Sequence, residues 1–600
     1  MPVAQILKAV LISVVLTLFA FVGGKLNLFG FEDVMDAASD DVFQQITSGT
    51  YGDRPEEREG QDRIRIISID ETGIEALRQG GWNGWPPGLD SLGILIEDMA
   101  YGSEPGPRAI FLDLIITGAS TDVPSVDLEA ILDSELEATP AVLLLRSIAE
   151  VTQARAWSGQ SACRTDPLIR LACIIEAGGT PVILARPDAL EQNGLTELQR
   201  QLDNVALLTP VLVNVRNYPL VDDYAQGPLP GVYGFDLYPA SALYAADCLH
   251  DILRNGQARA CDGQPVFQQA AEAARAALRP GARSSVPGTQ ARDIWSTPVA
   301  VLWGSRQPDR QTELTARVSS GIVPECEDRM GVVERSLRSL FNALPQSTAC
   351  AYTFNLGYDR IVAGFGLEQD DYRYIFEDRL ILVGSHMLNS DWVPTPVHGQ
   401  LPGVHYHAMA LDNLVSLDSR YRRADTTWFS TDDLFQVILT FILLLAVILA
   451  VMGRNTLLED FRPQWKSRPP LWATVAYYAS LIVLVVGLTW LIALIGKSAW
   501  DQAVINWLGI MGLAFGVLFM AARLTFITDV GGPLAFVDTW TRKLEFGDRN
   551  LTRRRRPDET PQDSGVPPPP KRQRRTPSSN ATPPGTRRPR SRRKQPDASS

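Results

Sequence analysis

Four long apolar segments constrain the fold of this chain more than any other feature. They are Ala9–Gly24, Leu434–Met452, Leu471–Gly496 and Ala503–Ala522. The last three have the roughly 20-residue length of a helical span, because hydrocarbon offers no partner to an unpaired backbone group. The first is shorter, and we expect it to be an uncleaved anchor. The alternative is a cleaved signal peptide, for which Phe21–Lys25 gives only a weak cleavage site. The sequence therefore predicts one N-terminal and three C-terminal transmembrane helices.

Basic residues in the loop after the second apolar segment set the predicted orientation. Arg454, Arg462, Lys466 and Arg468 lie in this loop, and the C-terminal tail is rich in arginine. Since basic loops stay in the cytoplasm, both termini are predicted to be cytoplasmic in a multi-pass protein of the inner (plasma) membrane. The predicted organisation is an anchor over residues 1–25, a periplasmic or extracellular domain over 26–433, three membrane helices over 434–523, and a cytoplasmic segment and tail over 524–600.

The C-terminal tail combines basic runs with proline and almost no large apolar residue. Arg553–Arg556, Pro567–Pro570 and Lys571–Arg575 are examples, although the whole chain has a formal net charge of −12. This composition predicts disorder. The tail is expected either to enforce topology as a solvated segment or to bind anionic lipid head groups. Nucleic acid is the least favoured partner, because no recognition module accompanies the charge.

All six cysteines lie between the first and second apolar segments. Their even number and confinement to one region favour oxidation. They are predicted to pair with sequence neighbours, as Cys163 with Cys173, Cys248 with Cys261, and Cys326 with Cys350, because short loops close at the lowest entropic cost. The alternative is six buried free thiols. A zinc cluster is disfavoured because the sequence has no CxxC pair.

Short apolar runs alternate with helical stretches in the outer region. Predicted strands are Arg63–Asp70, Arg108–Asp113, Ala141–Leu145, Pro181–Ala185 and Leu380–Val383, and predicted helices are Asp90–Ala100 and a run near Val404–Leu417. Residues 255–295 are predicted to form a helix followed by an exposed loop. This alternation is typical of α/β architecture, so the fold class is predicted to be an α/β extracytoplasmic domain with four transmembrane helices.

Two of the predicted strands end in an acid, and two tryptophans lie between them. Asp70 ends the first strand, Asp113 ends the second, and Trp82 and Trp85 stand in the intervening turn. Open α/β sheets bind ligands beyond the carboxyl ends of their strands, so all four residues are ligand-binding candidates. Two nearby acids could also act as an acid–base pair. We favour the alternative that each acid caps the following helix or bonds loop amides, and that the tryptophans belong to the core or its rim.

A late segment places Asp391, His398, His405 and His407 close in sequence. A His-x-His pair can bind a metal when it lies on a strand, where alternate residues share a face. Here Pro402-Gly403 precedes a helical run, in which residues two apart point about 200° apart. We therefore expect neither a metal nor a cofactor, and we expect His407 to pack near the helix start. Asp391 and His407 are further ligand-binding candidates.

Two blocks of the outer region carry a recognisable combination of residues. The first comprises Ile66–Glu71, Gly81–Pro86 and Ala109–Asp113, and the second comprises Arg379–Ser385, Asp391, Thr395-Pro396, Leu401–Ala408 and Asp412–Leu414. Together they resemble the type-two CHASE domain family, the extracellular sensory domains associated with cyclases and histidine kinases. The resemblance covers about residues 30–420. The arrangement of one membrane helix before the domain and three after it is also usual for that family.

The resemblance implies a sensor that signals through its membrane helices to a cytoplasmic catalytic domain. No kinase glycine loop, cyclase-like domain or phosphoacceptor histidine region follows Arg523, and the nucleophile-elbow, P-loop and HExxH patterns do not occur. We therefore expect a non-enzymatic sensor or receptor-like protein that binds an unknown ligand and acts through a cytoplasmic signalling protein, with self-association as an option. The alternative is an envelope scaffold or assembly protein. An extracytoplasmic hydrolase using Asp70 and Asp113 is the least favoured function.

Overall fold

Buried apolar strands decide where the core of the outer domain lies. The computed structural model describes residues 3–25, 31–79, 87–116, 128–132, 139–164, 166–186, 196–211, 217–223, 235–256, 261, 265–279, 295–318, 351–363, 367–387, 391–418, 421–422, 431–461, 471–500 and 507–530. The strands are β1 Ile64–Ile69, β2 Ala109–Asp113, β3 Val182–Arg186, β4 Leu207–Pro210, β5 Val221–Asp223, β6 Phe235–Leu237, β7 Phe354–Gly357, β8 Leu380–Ser385, β9 Trp392–Thr395 and β10 Gly399–Pro402.

Helices precede and follow most of these strands. In the first half of the chain they are α1 Val3–Lys25, α2 Phe31–Thr47, α3 Glu59–Arg63, α4 Glu71–Gln79, α5 Leu89–Tyr101, α6 Leu128–Leu132, α7 Pro140–Val151, α8 Ala154–Trp157, α9 Pro167–Glu176, α10 Glu197–Asp203, α11 Pro239–His250 and α12 Pro265–Ala277. In the second half they are α13 Asp309–Val318, α14 Tyr358–Ala363, α15 Gln369–Phe376, α16 Gly403–Leu417, α17 Thr431–Phe461, α18 Leu471–Trp500 and α19 Trp507–Val530.

Within the described residues, a six-stranded parallel sheet with the order β4-β3-β2-β8-β1-β7 forms the centre of the outer domain. Every residue of β1 and of β3 is buried, as expected for a parallel sheet covered by helices on both faces. Strand β8, which comes last in sequence among the six strands of this sheet, lies between β1 and β2. Helix α16 follows it and packs against β8 and β1, while α11 packs against β2 and β3. The predicted α/β class is confirmed.

The predicted strands are confirmed near Ile64, Ala109, Val182 and Leu380, but the predicted strand at Ala141–Leu145 is wrong. These residues belong to α7. Thr139 caps this helix by accepting a hydrogen bond from the amide of Val142, and Pro140 stands at its first position, where a missing N–H costs nothing. A five-residue apolar run fits either structure; here it continues into the helical spacing of Ile148, which is also buried.

Two of the predicted disulfides are present. Cys163 bonds Cys173, and Cys248 bonds Cys261, so the pairing of sequence neighbours is confirmed for these four cysteines. The first bond ties the segment before α9 to that helix, and the second ties α11 to the chain that leads into α12. Cys326 and Cys350 lie outside the described residues, so their pairing stays a prediction.

A buried ion network closes the amino-terminal edge of the sheet. Arg108 precedes β2, and its guanidinium donates to Asp247 at 2.7 Å and to Asp251 at 2.8 Å, both on the α11 side. It also forms two 3.2 Å hydrogen bonds to the carboxylate of Asp378, just before β8. Arg63, just before β1, donates to Asp247 at 2.6 Å. Two arginines therefore join three strands of the sheet to α11, through the almost fully buried carboxylates of Asp247 and Asp251 and the half-exposed carboxylate of Asp378.

The described parts of all four apolar segments are helical, in α1, α17, α18 and α19. Among the described residues, one stretch, Val437–Arg454 in α17, is both long enough and apolar enough to cross a membrane. The apolar stretches Ile6–Val22, Val475–Thr489 and Met511–Arg523 are shorter. The three C-terminal helices pack together through a cluster that includes Leu443, Leu481 and Leu518, and α1 packs against α17. The helical prediction is confirmed, whereas four membrane crossings stay a prediction.

Candidate functional site

Asp70 and Asp113 lie at the carboxyl edge of the sheet, as the sequence predicted, but β8 runs between their strands. In the register of the sheet, Ile69 pairs with Ser385 and Asp113 pairs with Gly384. Strands that are two positions apart in a sheet are separated by about 10 Å. The carboxylate of Asp70 accepts a hydrogen bond from the amide of Gly73 in α4. Asp70 is therefore a helix-capping residue, and its strand is not a direct neighbour of the one that carries Asp113.

Helix α16 directs its two histidines to different partners. His405 Nε2 lies 3.1 Å from His386 Nε2, immediately after β8. His407 Nδ1 lies 2.7 Å from the hydroxyl of Tyr218, and its ring packs edge-on against Phe111 of β2. Residues two apart on a helix point to nearly opposite sides, so the two imidazoles cannot converge on one ion. Among the described residues, no group of three or more His, Cys, Asp or Glu side chains is arranged to hold a metal ion.

A chain of hydrogen bonds assigns the tautomer of His407. The amide of Ala240 donates to the Tyr218 hydroxyl at 3.1 Å, so that oxygen directs its own hydrogen to His407 Nδ1. Burial lowers the pKa of His407 to about 3, so the ring is neutral and carries its single hydrogen on Nε2. That Nε2 lies 3.8 Å from an oxygen of Asp113. This distance is too long for a hydrogen bond, and a neutral imidazole forms no ion pair.

The carboxylate of Asp113 is enclosed by the fold. Its side chain is 10% exposed. Burial, and next the nearby charge of Asp391, raise the pKa of Asp113 to about 7. Burial also lowers the pKa of His386 to about 4 and that of His405 well below its usual range. The edge therefore combines acids with imidazoles that are neutral at pH 7.

Asp391 lies at the exposed rim of this site, where the chain approaches α16 very closely. The Asp391 carbonyl accepts a 2.7 Å hydrogen bond from the amide of Gly403, the first residue of α16. A Cβ at position 403 would fall 2.0 Å from a carboxylate oxygen of Asp391. In the same way, a Cβ at Gly384 would fall 2.5 Å from the Cβ of Val404. Two glycines therefore allow β8, α16 and the Asp391 loop to meet at one point.

Sequence reasoning identified Asp113, Asp391 and His407 but missed Tyr218 and His386. The position of His386, three residues beyond the predicted strand Leu380–Val383, was the available signal. Tyr218 had none, because it reaches the site from the segment between β4 and β5 through a bridge to Val299. Trp82 and Trp85 lie outside the described residues, so their role as ligand-binding candidates stays a prediction.

A second buried acid, Asp412, links α16 to the segment that follows α2. One oxygen of Asp412 accepts a 2.6 Å hydrogen bond from Tyr51. The other is fully buried and has no hydrogen-bond partner among the described residues, and it lies where a Cβ at Gly60 would fall. Burial raises the pKa of Asp412 to about 8, with Tyr51 opposing and the nearby charge of Glu57 adding to the shift. The native state therefore holds a proton on Asp412 at neutral pH.

We expect Asp412→Asn to remove part of the pH dependence of stability. The unfolded carboxyl has a pKa of about 3.9, so between about pH 4 and pH 8 unfolding releases the Asp412 proton. The stabilisation due to that proton is fully present below about pH 4 and is lost as the pH rises toward 8, by at most about 1.4 kcal/mol per pH unit. Urea unfolding of the full chain in detergent at pH 5.5, 6.5 and 7.5 measures it. As the pH rises, the free energy of unfolding of the variant should increase relative to that of the wild type, because only the wild type loses the stabilisation by the Asp412 proton. A constant difference, like that expected for the exposed control Asp309→Asn, would rule out a buried protonated Asp412.

The architecture and the sequence agree with a family match. The CHASE2 domain matches the chain over residues 11–450, which includes most of α1, the whole outer domain and most of α17. No curated protein and no solved structure matched the chain. CHASE2 domains are extracellular sensory domains, so the resemblance seen in the sequence is confirmed, and the family is consistent with a sensor. Because the match extends over well more than half of the sequence, this protein belongs to the CHASE2 domain family.

Proposed function

We propose that this protein is a membrane-anchored sensor whose outer domain receives a ligand at the carboxyl edge of its sheet and which acts through a cytoplasmic partner. The proposal rests on a direct contact between two linkers that connect the outer domain to the membrane helices. The first linker is α2, which follows α1, and the second is the segment between α16 and α17, which contains Arg422. Arg422, beyond α16, pairs with Asp40 of α2 at 2.9 Å, and each side chain is only 15% exposed. An ion pair of this kind couples a change at the end of α16 to α2.

Further contacts fasten both linkers to the outer domain. Gln45 of α2 donates to the carbonyl of Pro396, after β9, at 2.8 Å. The side chain of Asn413 in α16 bonds both the amide and the carbonyl of Leu302, and the amide of Ala300 donates to the carbonyl of Arg422. The helix that lines the ligand site is thus the helix that leads to the second linker. A displacement of α16 has a short route to α1 and α17, which pack against each other.

The rest of the proposal rests on the distribution of charge in the sequence. Four membrane crossings are inferred from the four apolar segments, and the cytoplasmic position of both termini from the basic loop between α17 and α18 and the arginine-rich tail. The arginine-rich tail would bind anionic lipid head groups, and the signalling output would come from a separate cytoplasmic protein. In this account the chain performs no reaction and needs no cofactor, and self-association of its membrane helices is compatible with it.

Hydrogen exchange tests the coupling of the two linkers. In the full chain in lipid nanodiscs, Asp40→Asn should raise amide exchange at least threefold both within residues 40–47 and within residues 413–418, because the substitution weakens a partly buried ion pair. Asp309→Asn, whose side chain is 90% exposed, is the matched control and should change neither segment. Faster exchange in α2 alone would show that the linkers are independent, and the proposed route of signal transmission would then be rejected.

A further inference from the structure

Asp113 is a largely enclosed acid, with a side chain 10% exposed, and its carboxylate has no hydrogen-bond donor among the described residues. The nearest polar contact is His407 Nε2, at 3.8 Å. Other buried acids of this domain do have donors: Asp247 accepts from Arg63 and Arg108, and Asp412 accepts from Tyr51. Buried polar groups in native proteins are nearly always hydrogen-bonded, because desolvation without a partner costs free energy. The Asp113 carboxylate is thus suited to accept hydrogen bonds from a bound molecule.

The surroundings of Asp113 favour a cation. Asp113 pairs with Gly384 in the sheet, Gly384 adjoins Val404, and the preceding Gly403 adjoins the exposed Asp391, so the two acids lie at the same corner of the fold. The charge of Asp391 accordingly contributes to the raised pKa of Asp113. The described imidazoles at this edge, those of His386, His405 and His407, are kept neutral by burial. Arg186, at the end of β3, is engaged with Asp236. Among the described residues, this edge therefore presents acids and neutral groups, a lining that concentrates cations.

The tautomer of His407 disfavours a metal ion that needs an imidazole ligand, such as zinc, and is compatible with an organic cation. Because Tyr218 donates to Nδ1, the Nε2 atom that faces Asp113 carries a hydrogen and has no lone pair to offer a metal. An ammonium group has the opposite requirement, since it has three N–H donors and needs only acceptors. Its hydrogen bonds to a carboxylate are charge-assisted and roughly twice as strong as neutral ones.

We propose that Asp113 and Asp391 bind the ammonium group of a small primary amine at the carboxyl edge of the sheet. Asp113 accepts N–H bonds from the ammonium group at the enclosed end, and Asp391 neutralises its charge at the rim. This assignment rests on the proposed sensory function and names the chemical class of its ligand. The amine also lies beside α16, through His407, and therefore next to the helix that leads to the second linker.

Thermal unfolding of the full chain in nanodiscs at pH 8 tests the proposal, with methylammonium, ethanolammonium and 1,4-butanediammonium as probes. Sodium chloride and tetramethylammonium, a cation without N–H donors, serve as controls at equal ionic strength. At least one primary ammonium should raise the unfolding midpoint in a saturable way, as expected for binding to the native state. Asp113→Asn should weaken its apparent affinity at least tenfold, and Asp391→Asn, at the exposed rim, should weaken it to a lesser degree. Asp309→Asn should bind as the wild type does.

Several outcomes would overturn the proposal. They are an equal response to tetramethylammonium, no saturable response to any primary amine, unchanged binding by both Asp113→Asn and Asp391→Asn, or saturable stabilisation by Zn²⁺ or Ca²⁺ in place of amines. The exchange experiment on Asp40 keeps the two proposals separable. If amines fail to bind while the linkers prove coupled, the sensor stands without this ligand class. If amines bind while the linkers prove independent, the site stands without the sensory route.

Discussion

Replacing Arg108 with leucine is expected to lower the free energy of unfolding of the outer domain by about 3–5 kcal/mol. The guanidinium is 7% exposed and bridges three carboxylates, two of which are almost fully buried. Arg63 still reaches Asp247 within hydrogen-bond distance, but it lies 3.8 Å from Asp251. The substitution therefore leaves a buried charge without adequate compensation, which costs far more than the loss of a surface pair.

Urea unfolding of the full chain in detergent measures this loss, with proteolytic cleavage of the outer domain as the readout of its unfolded fraction. Arg78→Leu is the matched control, because Arg78 pairs with Glu75 at a site where both side chains are more than half exposed. Exposed ion pairs contribute little, so we expect the control to change the free energy of unfolding by less than about 0.5 kcal/mol. Equal losses for Arg78 and Arg108 would contradict the assignment of the buried network as a principal stabiliser of the sheet edge.

Gly384→Ala is expected to cost about 1–3 kcal/mol and to displace the start of α16. The added methyl group would overlap the branched Cβ of Val404, which lies too near its own backbone to move aside cheaply. Gly159→Ala is the control, because a Cβ at that exposed position meets no atom within 4 Å. Urea unfolding gives the loss of stability, and hydrogen exchange in residues 403–408 reports whether α16 has moved.

A neutral effect of Gly384→Ala on both measurements would contradict the close contact between β8 and α16. The contact matters for function because Asp391, Gly403 and His407 owe their positions to it. If the helix start moves, we also expect weaker binding of primary amines, even though residue 384 touches no proposed ligand atom.

The sequence predicted four strands of the central sheet but not their order in it. Runs such as Ile64–Ile69 and Leu380–Val383 are mostly apolar and contain several β-branched residues, and such short runs are typical of buried parallel strands. The order of the strands could not be derived, because β8 comes late in the chain and inserts between β1 and β2. That insertion is what separates Asp70 from Asp113.

Arg65 shows why local pattern alone misleads. An arginine within a run of isoleucines suggests a solvent-facing position. The side chain is instead fully buried, stacked 4.3 Å from the ring centroid of Tyr374 and 5.1 Å from that of Phe354. Its partners come from segments almost 300 residues away, so no local signal could have revealed them. Tyr218 in the ligand site is unpredictable for the same reason.

Residues at the ends of regular elements were the more predictable part of the site. Asp113 ends a strand, and His407 lies in the first turns of a helix whose start is marked by Pro402-Gly403. What could not be predicted is the state of each group. The tautomer of His407 depends on tertiary contacts among His407, Tyr218 and Ala240. Whether the Asp113 carboxylate has a hydrogen-bond partner likewise depends on tertiary structure.

Crosslinking in intact membranes, followed by mass spectrometry, tests the central claim most directly. If the chain is a sensor that acts through a partner, a cytoplasmic kinase or cyclase should be crosslinked to residues 524–600 of the wild type. Its recovery should fall at least threefold in Asp40→Asn and stay unchanged in Asp309→Asn. Recovery of envelope proteins alone, with no cytoplasmic signalling protein under any condition, would contradict the sensory account and indicate a scaffold.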